Sequence, residues 1–212
     1  MSGDVEGDPC SLTGGTCSMD GKASISCVNG LAHVIQCLGP RGCHVDGDRY
    51  LCDHSIANFG DACTEGNACT ADGKSMLKCK DGAFAMLSAC GGPKACATVP
   101  GATLTVVCDG SIGKPGDVCT EGAACTAGGK EFLTCVDGKL VSKTPCRGPH
   151  GCETKGDQVH CDQSLAIVGD PCEGEGGACS VDKKALLQCK KGVYAVLQKC
   201  NCVEEATRVR CR

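Results

Sequence analysis

The sequence predicts a small disulfide-rich all-β protein. It reads as four tandem modules of about 53 residues, each a three-stranded antiparallel sheet with a β-hairpin and three disulfides, arranged as a semi-rigid rod. Three observations lead there. Cysteine supplies 24 of the 212 residues, above the roughly 8–10% that marks a disulfide scaffold. Large aromatics are nearly absent, with no Trp, two Tyr and three Phe, so side chains that each bury about 150–250 Å² in an ordinary core are missing. Finally, the cysteines recur in register.

Gly-Asp-x-Cys opens a unit four times, at Cys10, Cys63, Cys119 and Cys172, at intervals of 53, 56 and 53 residues. Each unit holds six cysteines: Cys10, Cys17, Cys27, Cys37, Cys43 and Cys52; Cys63, Cys69, Cys79, Cys90, Cys96 and Cys108; Cys119, Cys125, Cys135, Cys146, Cys152 and Cys161; Cys172, Cys179, Cys189, Cys200, Cys202 and Cys211. The second-to-third step is ten residues in every unit, and the step from sixth cysteine to the next first is eleven. The modules therefore cover 8–53, 61–109, 117–162 and 170–212. Asp8, Asp61, Asp117 and Asp170 precede the first cysteines and suit an Asx-type turn, in which the carboxylate accepts nearby backbone N–H groups. No second carboxylate recurs at ligand spacing beside them, which argues against a metal role.

Each module carries a hairpin signal at its middle. In the second, Ser75–Lys80 and Ala83–Leu87 flank Asp81-Gly82, and the equivalents are Asn29-Gly30, Asp137-Gly138 and Lys191-Gly192. A run such as Thr103–Cys108 is expected to end each unit as the third strand of the sheet. Six cysteines allow fifteen pairings. With a two-residue turn Cys79 sits opposite Phe84, which puts Cys90 roughly 20 Å away at about 3.3 Å per residue. A disulfide needs Cα atoms within about 7 Å, so third-to-fourth pairing is excluded. Cys200-Asn201-Cys202 excludes fourth-to-fifth pairing, and nine pairings remain open.

The links 53–59, 109–115 and 162–168 are equal in length, and each has Ser followed by Ile or Leu. A flexible linker is polar and variable, so these are expected to pack on a neighbouring module. The cysteine content implies an oxidising compartment, hence a secreted or extracellular or periplasmic surface location. Met1-Ser2-Gly3-Asp4 opens in polar sequence, as in a form whose export signal or anchor is absent from this chain. No apolar run approaches the roughly 20 residues of a membrane span. The net charge of −4 is uneven: residues 172–212 hold eight Lys/Arg against five Asp/Glu, a net of +3, which leaves −7 on residues 1–171.

Enzyme chemistry finds no foothold. There is no Gly-x-Ser-x-Gly, and His33, His44, His54, His150 and His160 fall at unrelated places in the repeats, which suits solvated side chains. Asp46-Gly47-Asp48 is too short for a calcium loop and lacks the downstream Glu. The acidic bulk and missing stacking residues argue against nucleic acid. No cofactor is expected. Zinc sites use Cys-x₂₋₄-Cys knuckles, a spacing scarce here, so a metal-thiolate protein is a minor alternative.

Two surface features are candidate binding residues. The segment between fourth and fifth cysteines reads Leu38-Gly39-Pro40-Arg41-Gly42, Gly91-Gly92-Pro93-Lys94-Ala95 and Arg147-Gly148-Pro149-His150-Gly151. Pro40, Arg41, Pro93, Lys94, Pro149 and His150 resemble the preorganised loops of small serine-protease inhibitors, with Arg41 and Lys94 suited to a trypsin-like pocket. Arg208 and Arg210, with Arg212 at the next alternate position, form a basic strand edge for an anionic surface.

Cys27-Val28-Asn29-Gly30 through Cys37 resembles the hairpin of peritrophin-type chitin-binding modules over about a third of each repeat, which implies sugar binding through exposed aromatics. Over the whole chain, Cys146-Arg147-Gly148-Pro149-His150-Gly151-Cys152 and Gly169-Asp170-Pro171-Cys172 are similar to tandem six-cysteine repeats of uncharacterised exported proteins from gliding soil bacteria, which implies export and surface location. The expected function is a non-enzymatic binding or structural protein at the cell surface, meeting a protein or glycan. A multi-headed protease inhibitor is the first alternative and a metal-thiolate protein the second.

Overall fold

The computed structural model describes residues 5–11, 14–99, 104–156, 158–205 and 208–212; Met1–Asp4 and Thr103 lie outside them. All described secondary structure is β. Every cysteine is paired, and each bridge closes within its own six-cysteine segment. The connectivity is first to third, second to fifth and fourth to sixth in all four, as in Cys63–Cys79, Cys69–Cys96 and Cys90–Cys108. It is one of the nine pairings left open above.

The central hairpins form where the turn residues require them. Asn29-Gly30, Asp81-Gly82, Asp137-Gly138 and Lys191-Gly192 all have positive φ at both positions, the geometry of a type I′ turn. Asn and Asp tolerate this left-handed region, but Lys191, at φ 52°, has no such allowance. Lys191→Asn is expected to stabilise the fourth module by about 0.5–1 kcal/mol, seen as a raised urea midpoint.

The sheet is built differently from the expectation at one edge. The closing run does not join the central hairpin. It pairs with the strand after the fifth cysteine in a second hairpin, as in Cys96–Val99 with Thr105–Cys108, where Cys96 and Cys108 are directly opposed. The third strand of the sheet comes instead from around the second cysteine: Gly15–Cys17, Asn67–Cys69, Ala123–Thr126 and Gly177–Ser180. A tight turn forces that pairing. In the first module the Ser18 N–H donates to the Ala23 carbonyl at 2.8 Å, the Ala23 N–H donates to Ser18 Oγ at 2.9 Å, and Asp20 Oδ1 accepts the Ser18 hydroxyl and the Lys22 N–H. Thr70-Ala71-Asp72 and Ser180-Val181-Asp182 repeat the device.

One spacing has a local cause. The third-to-fourth step is ten residues in the first module and eleven in the others. The extra residue is a β-bulge: Met76 faces Ser88 but Leu77 faces Met86, so Leu87 has no partner. Lys143 and Leu197 are the bulged residues of the third and fourth modules.

Contacts divide the chain into two compact units, Met1–Cys90 with Lys94–Cys108, and Gly91–Pro93 with Asp109–Arg212. Within the first unit, the link residue Ile56 bridges in parallel to Cys69, and Ala57 is buried with Ala68, Leu77 and Phe84 against Cys63. The opposite face of the same strand places Met76 with Val106 against the Cys69–Cys96 and Cys90–Cys108 bridges. Within the second unit, Ile112–Gly113 and Leu165–Ala166 add parallel edge strands to the sheets that follow them. Leu133 and Leu140 bury with Ala124, and Leu187 and Tyr194 with Ala166 and Ala178. The apolar residues of the links thus pack on the module ahead of them. Among the described residues the cores of the second, third and fourth modules each hold two large buried side chains, the first holds Ile25 with Ala23 and Ala32, and alanine and disulfide sulfur fill the rest.

Candidate functional site

Each Gly-Pro turn is built on a carboxylate, buried in the first module and half-buried in the second and third. Asp53 follows the sixth cysteine and its side chain is 2% exposed. The Gly39 N–H donates to its carbonyl, the Asp53 N–H donates to the Gly42 carbonyl, and Gly42 closes the turn onto Gly39, each at 2.9 Å. Asp53 Oδ2 accepts the Arg41 N–H at 3.1 Å, and Oδ1 accepts the Ser55 N–H at 2.9 Å. A Cβ on Gly39 would lie 2.2 Å from Asp53 Cγ, so only glycine fits there. The third module repeats the arrangement with Gly148, His150, Gly151 and Asp162. In the second, Gly92 lies over Asp109, which accepts the Ser111 N–H at 3.0 Å.

Pro40, Arg41, Pro93, Lys94, Pro149 and His150 are accordingly exposed at the tips of rigid turns. The tips are not substrate-like strands, however. Gly39-Pro40-Arg41-Gly42 is a closed hydrogen-bonded turn, and the Arg41 N–H is already committed to Asp53. A protease cleft binds an extended segment with free backbone donors, so this geometry does not fit the inhibitor reading.

Burial pushes the Asp53 and Asp162 carboxyls up. The Ser55 and Arg41 N–H groups on Asp53, and the Ser164 and His150 N–H groups on Asp162, outweigh it and hold both below the ordinary value. A carboxyl depressed in the folded state stabilises the fold above its unfolded pKa, about 3.9, and that contribution is lost as pH falls through the lower folded value. Melting temperature is therefore expected to fall below about pH 4, with a smaller drop in Asp162→Asn. Thermal scans across the acid range check this.

His54 departs from the solvated reading. Its ring lies 6.4 Å from that of Phe84 and its Nδ1 is 3.9 Å from Cys52 Sγ. Burial lowers its pKa, with Asp53 and Asp61 pulling the other way. His33 is exposed and pairs with Glu6 at 3.1 Å.

The recurrent aspartates before the first cysteines do hold turns, but backwards. Asp61 Oδ2 accepts the Asn58 N–H at 2.7 Å, while the Asp61 N–H donates to the Asn58 carbonyl. Asp117 and Asp170 do the same to Lys114 and Ile167. Asp170 also takes a bidentate pair from Arg147, at 2.6 and 3.2 Å, which with Lys143–Glu173 at 2.7 Å ties the third module to the fourth.

Arg208 and Arg210 lie on the strand Arg208–Cys211, with Arg212 just beyond it, and all three gather round one carboxylate, Glu205, at 3.6, 2.5 and 3.9 Å. The edge keeps an excess of positive charge.

Compared with protein-family models, curated proteins and solved structures, the chain matches none. With every cysteine in a disulfide, no thiolate is left to hold a metal, which removes the metal-thiolate alternative. Among the described residues no cluster of His, Cys, Asp and Glu is suited to a metal ion, and no helix is long and apolar enough to cross a membrane. Sequence reasoning missed Asp53, Asp109 and Asp162. Their signal was available: an Asp directly after the sixth cysteine wherever a Gly-Pro segment follows the fourth.

Proposed function

We propose that this is an extracellular, non-enzymatic binding protein whose stapled modules present exposed turn tips and a basic edge to a protein or glycan at the cell surface. Twelve disulfides belong to an oxidising compartment, which supports the location. One contrast carries the reading. The turn scaffold is constant, with a glycine over an aspartate in three modules, while the tip varies from Pro40-Arg41 to Pro93-Lys94 to Pro149-His150. A rigid frame with variable exposed residues suits recognition, because little entropy is lost on binding.

The test uses the intact oxidised protein on arrays of surface glycans and surface-protein fractions, followed by affinity measurement on the component retained. The triple variant Arg41→Ala, Lys94→Ala, His150→Ala is expected to lose about tenfold or more in affinity, about 1.4 kcal/mol. Unchanged affinity for every retained component overturns the reading. Micromolar protein is expected to leave trypsin at full rate, since the turns are closed; measurable inhibition would restore the inhibitor alternative.

A further inference from the structure

We propose that Cys200–Cys211 is the exchangeable disulfide of this protein, the bridge at which an external thiol forms a mixed disulfide with Cys200. Two independent contrasts among the four modules lead to it. The first is cover. The fourth cysteine is only 4%, 2% and 5% exposed at Cys37, Cys90 and Cys146, beneath the Gly-Pro turns. In the fourth module the single residue Asn201 replaces that turn, and Cys200 is only half-buried. Its Sγ meets the Gln198 carbonyl at 4.0 Å in an exposed setting, whereas the matching contacts of Cys90 and Cys146 are buried.

The second contrast is charge. Cys52, Cys108 and Cys161 are each followed by an aspartate, Asp53, Asp109 and Asp162, which disfavours a thiolate beside it. Cys211 stands between Arg210 and Arg212, and the three arginines of this edge share the one carboxylate of Glu205. Positive charge lowers a thiol's pKa, and a thiol of lower pKa leaves faster.

The step balances without an oxidant. A small-molecule or protein thiolate attacks Cys200 Sγ, a new S–S bond forms to Cys200, and the Cys200–Cys211 bond breaks with its electron pair leaving on Cys211 Sγ. A second thiolate releases the mixed disulfide and leaves both cysteines reduced, a two-electron reduction. Cys172–Cys189 and Cys179–Cys202 are untouched, and Cys179 and Cys202 are buried. The module keeps two of its three bridges.

The test is to treat the intact protein with limiting reduced glutathione at mildly alkaline pH, quench at intervals with N-ethylmaleimide, and map the peptides by mass spectrometry. The expected first product carries glutathione on Cys200 and maleimide on Cys211, formed roughly tenfold faster than opening of Cys37–Cys52, Cys90–Cys108 or Cys146–Cys161. The double variant Arg210→Gln, Arg212→Gln is expected to slow it several-fold. Another bridge opening first, all twelve opening at one rate, or an unchanged rate in the variant overturns the assignment.

Discussion

Full reduction of the protein is expected to abolish its β-structure, with the far-ultraviolet circular dichroism passing to that of an unfolded chain. The bridges close spans of 11 to 27 residues. On the chain-entropy model each contributes roughly 3 kcal/mol, so three give a module on the order of 10 kcal/mol. That equals the entire net stability of an ordinary domain. Against it, the second module buries Leu77 and Phe84 fully, with little besides Ala57, Ala68 and cysteine. Two such side chains contribute about 3–6 kcal/mol, far short of the cost of ordering some fifty residues at more than 1 kcal/mol each. Strands that persist after complete reduction and alkylation would mean that backbone pairing alone carries the fold.

The same arithmetic explains what was legible beforehand. A cysteine declares its role by its spacing, because a bridge demands Cα atoms a few ångströms apart, and two exclusions by reach already set aside six of the fifteen pairings. The type I′ turns were legible because Asn-Gly and Asp-Gly are nearly the only pairs that accept positive φ twice. The misplaced third strand shows the limit. Asp20-Gly21 and Asp72-Gly73 carry a turn signal too, set between the second and third cysteines, where the constant step of ten already marks a constant hairpin. Periodicity says that a segment is a strand, not which neighbour it pairs with. The candidate site was harder still. Pro40 and Arg41 were visible as an exposed pair, but their conformation is imposed by Asp53, twelve residues after Arg41, and nothing in the turn itself points to that carboxylate. Only the parallel recurrence of glycine and aspartate across three modules does.

That dependence leads to the second large effect. Gly148→Ala is expected to destabilise the third module by about 3–5 kcal/mol, read from the denaturant midpoint of the oxidised protein. A Cβ there would lie 2.1 Å from Asp162 Cγ, well inside contact distance, so either the carboxylate or the turn must move. If the carboxylate moves, the Ser164 and His150 N–H groups lose their acceptor, at 2.9 and 3.1 Å, and each such charge-assisted bond contributes roughly 1.5–3 kcal/mol. If the turn moves, Gly148 loses its bond to the Asp162 carbonyl and Cys146 loses its cover. The double variant Gly148→Ala, Asp162→Ala separates steric conflict from lost hydrogen bonding. Removing the carboxylate makes room for the methyl group, so the pair should cost clearly less than the sum of the two single changes. Additive losses would show that the glycine answers to something other than the aspartate beneath it. A loss under about 0.5 kcal/mol for Gly148→Ala, the level of a neutral surface change, would show that the turn is not pinned at all.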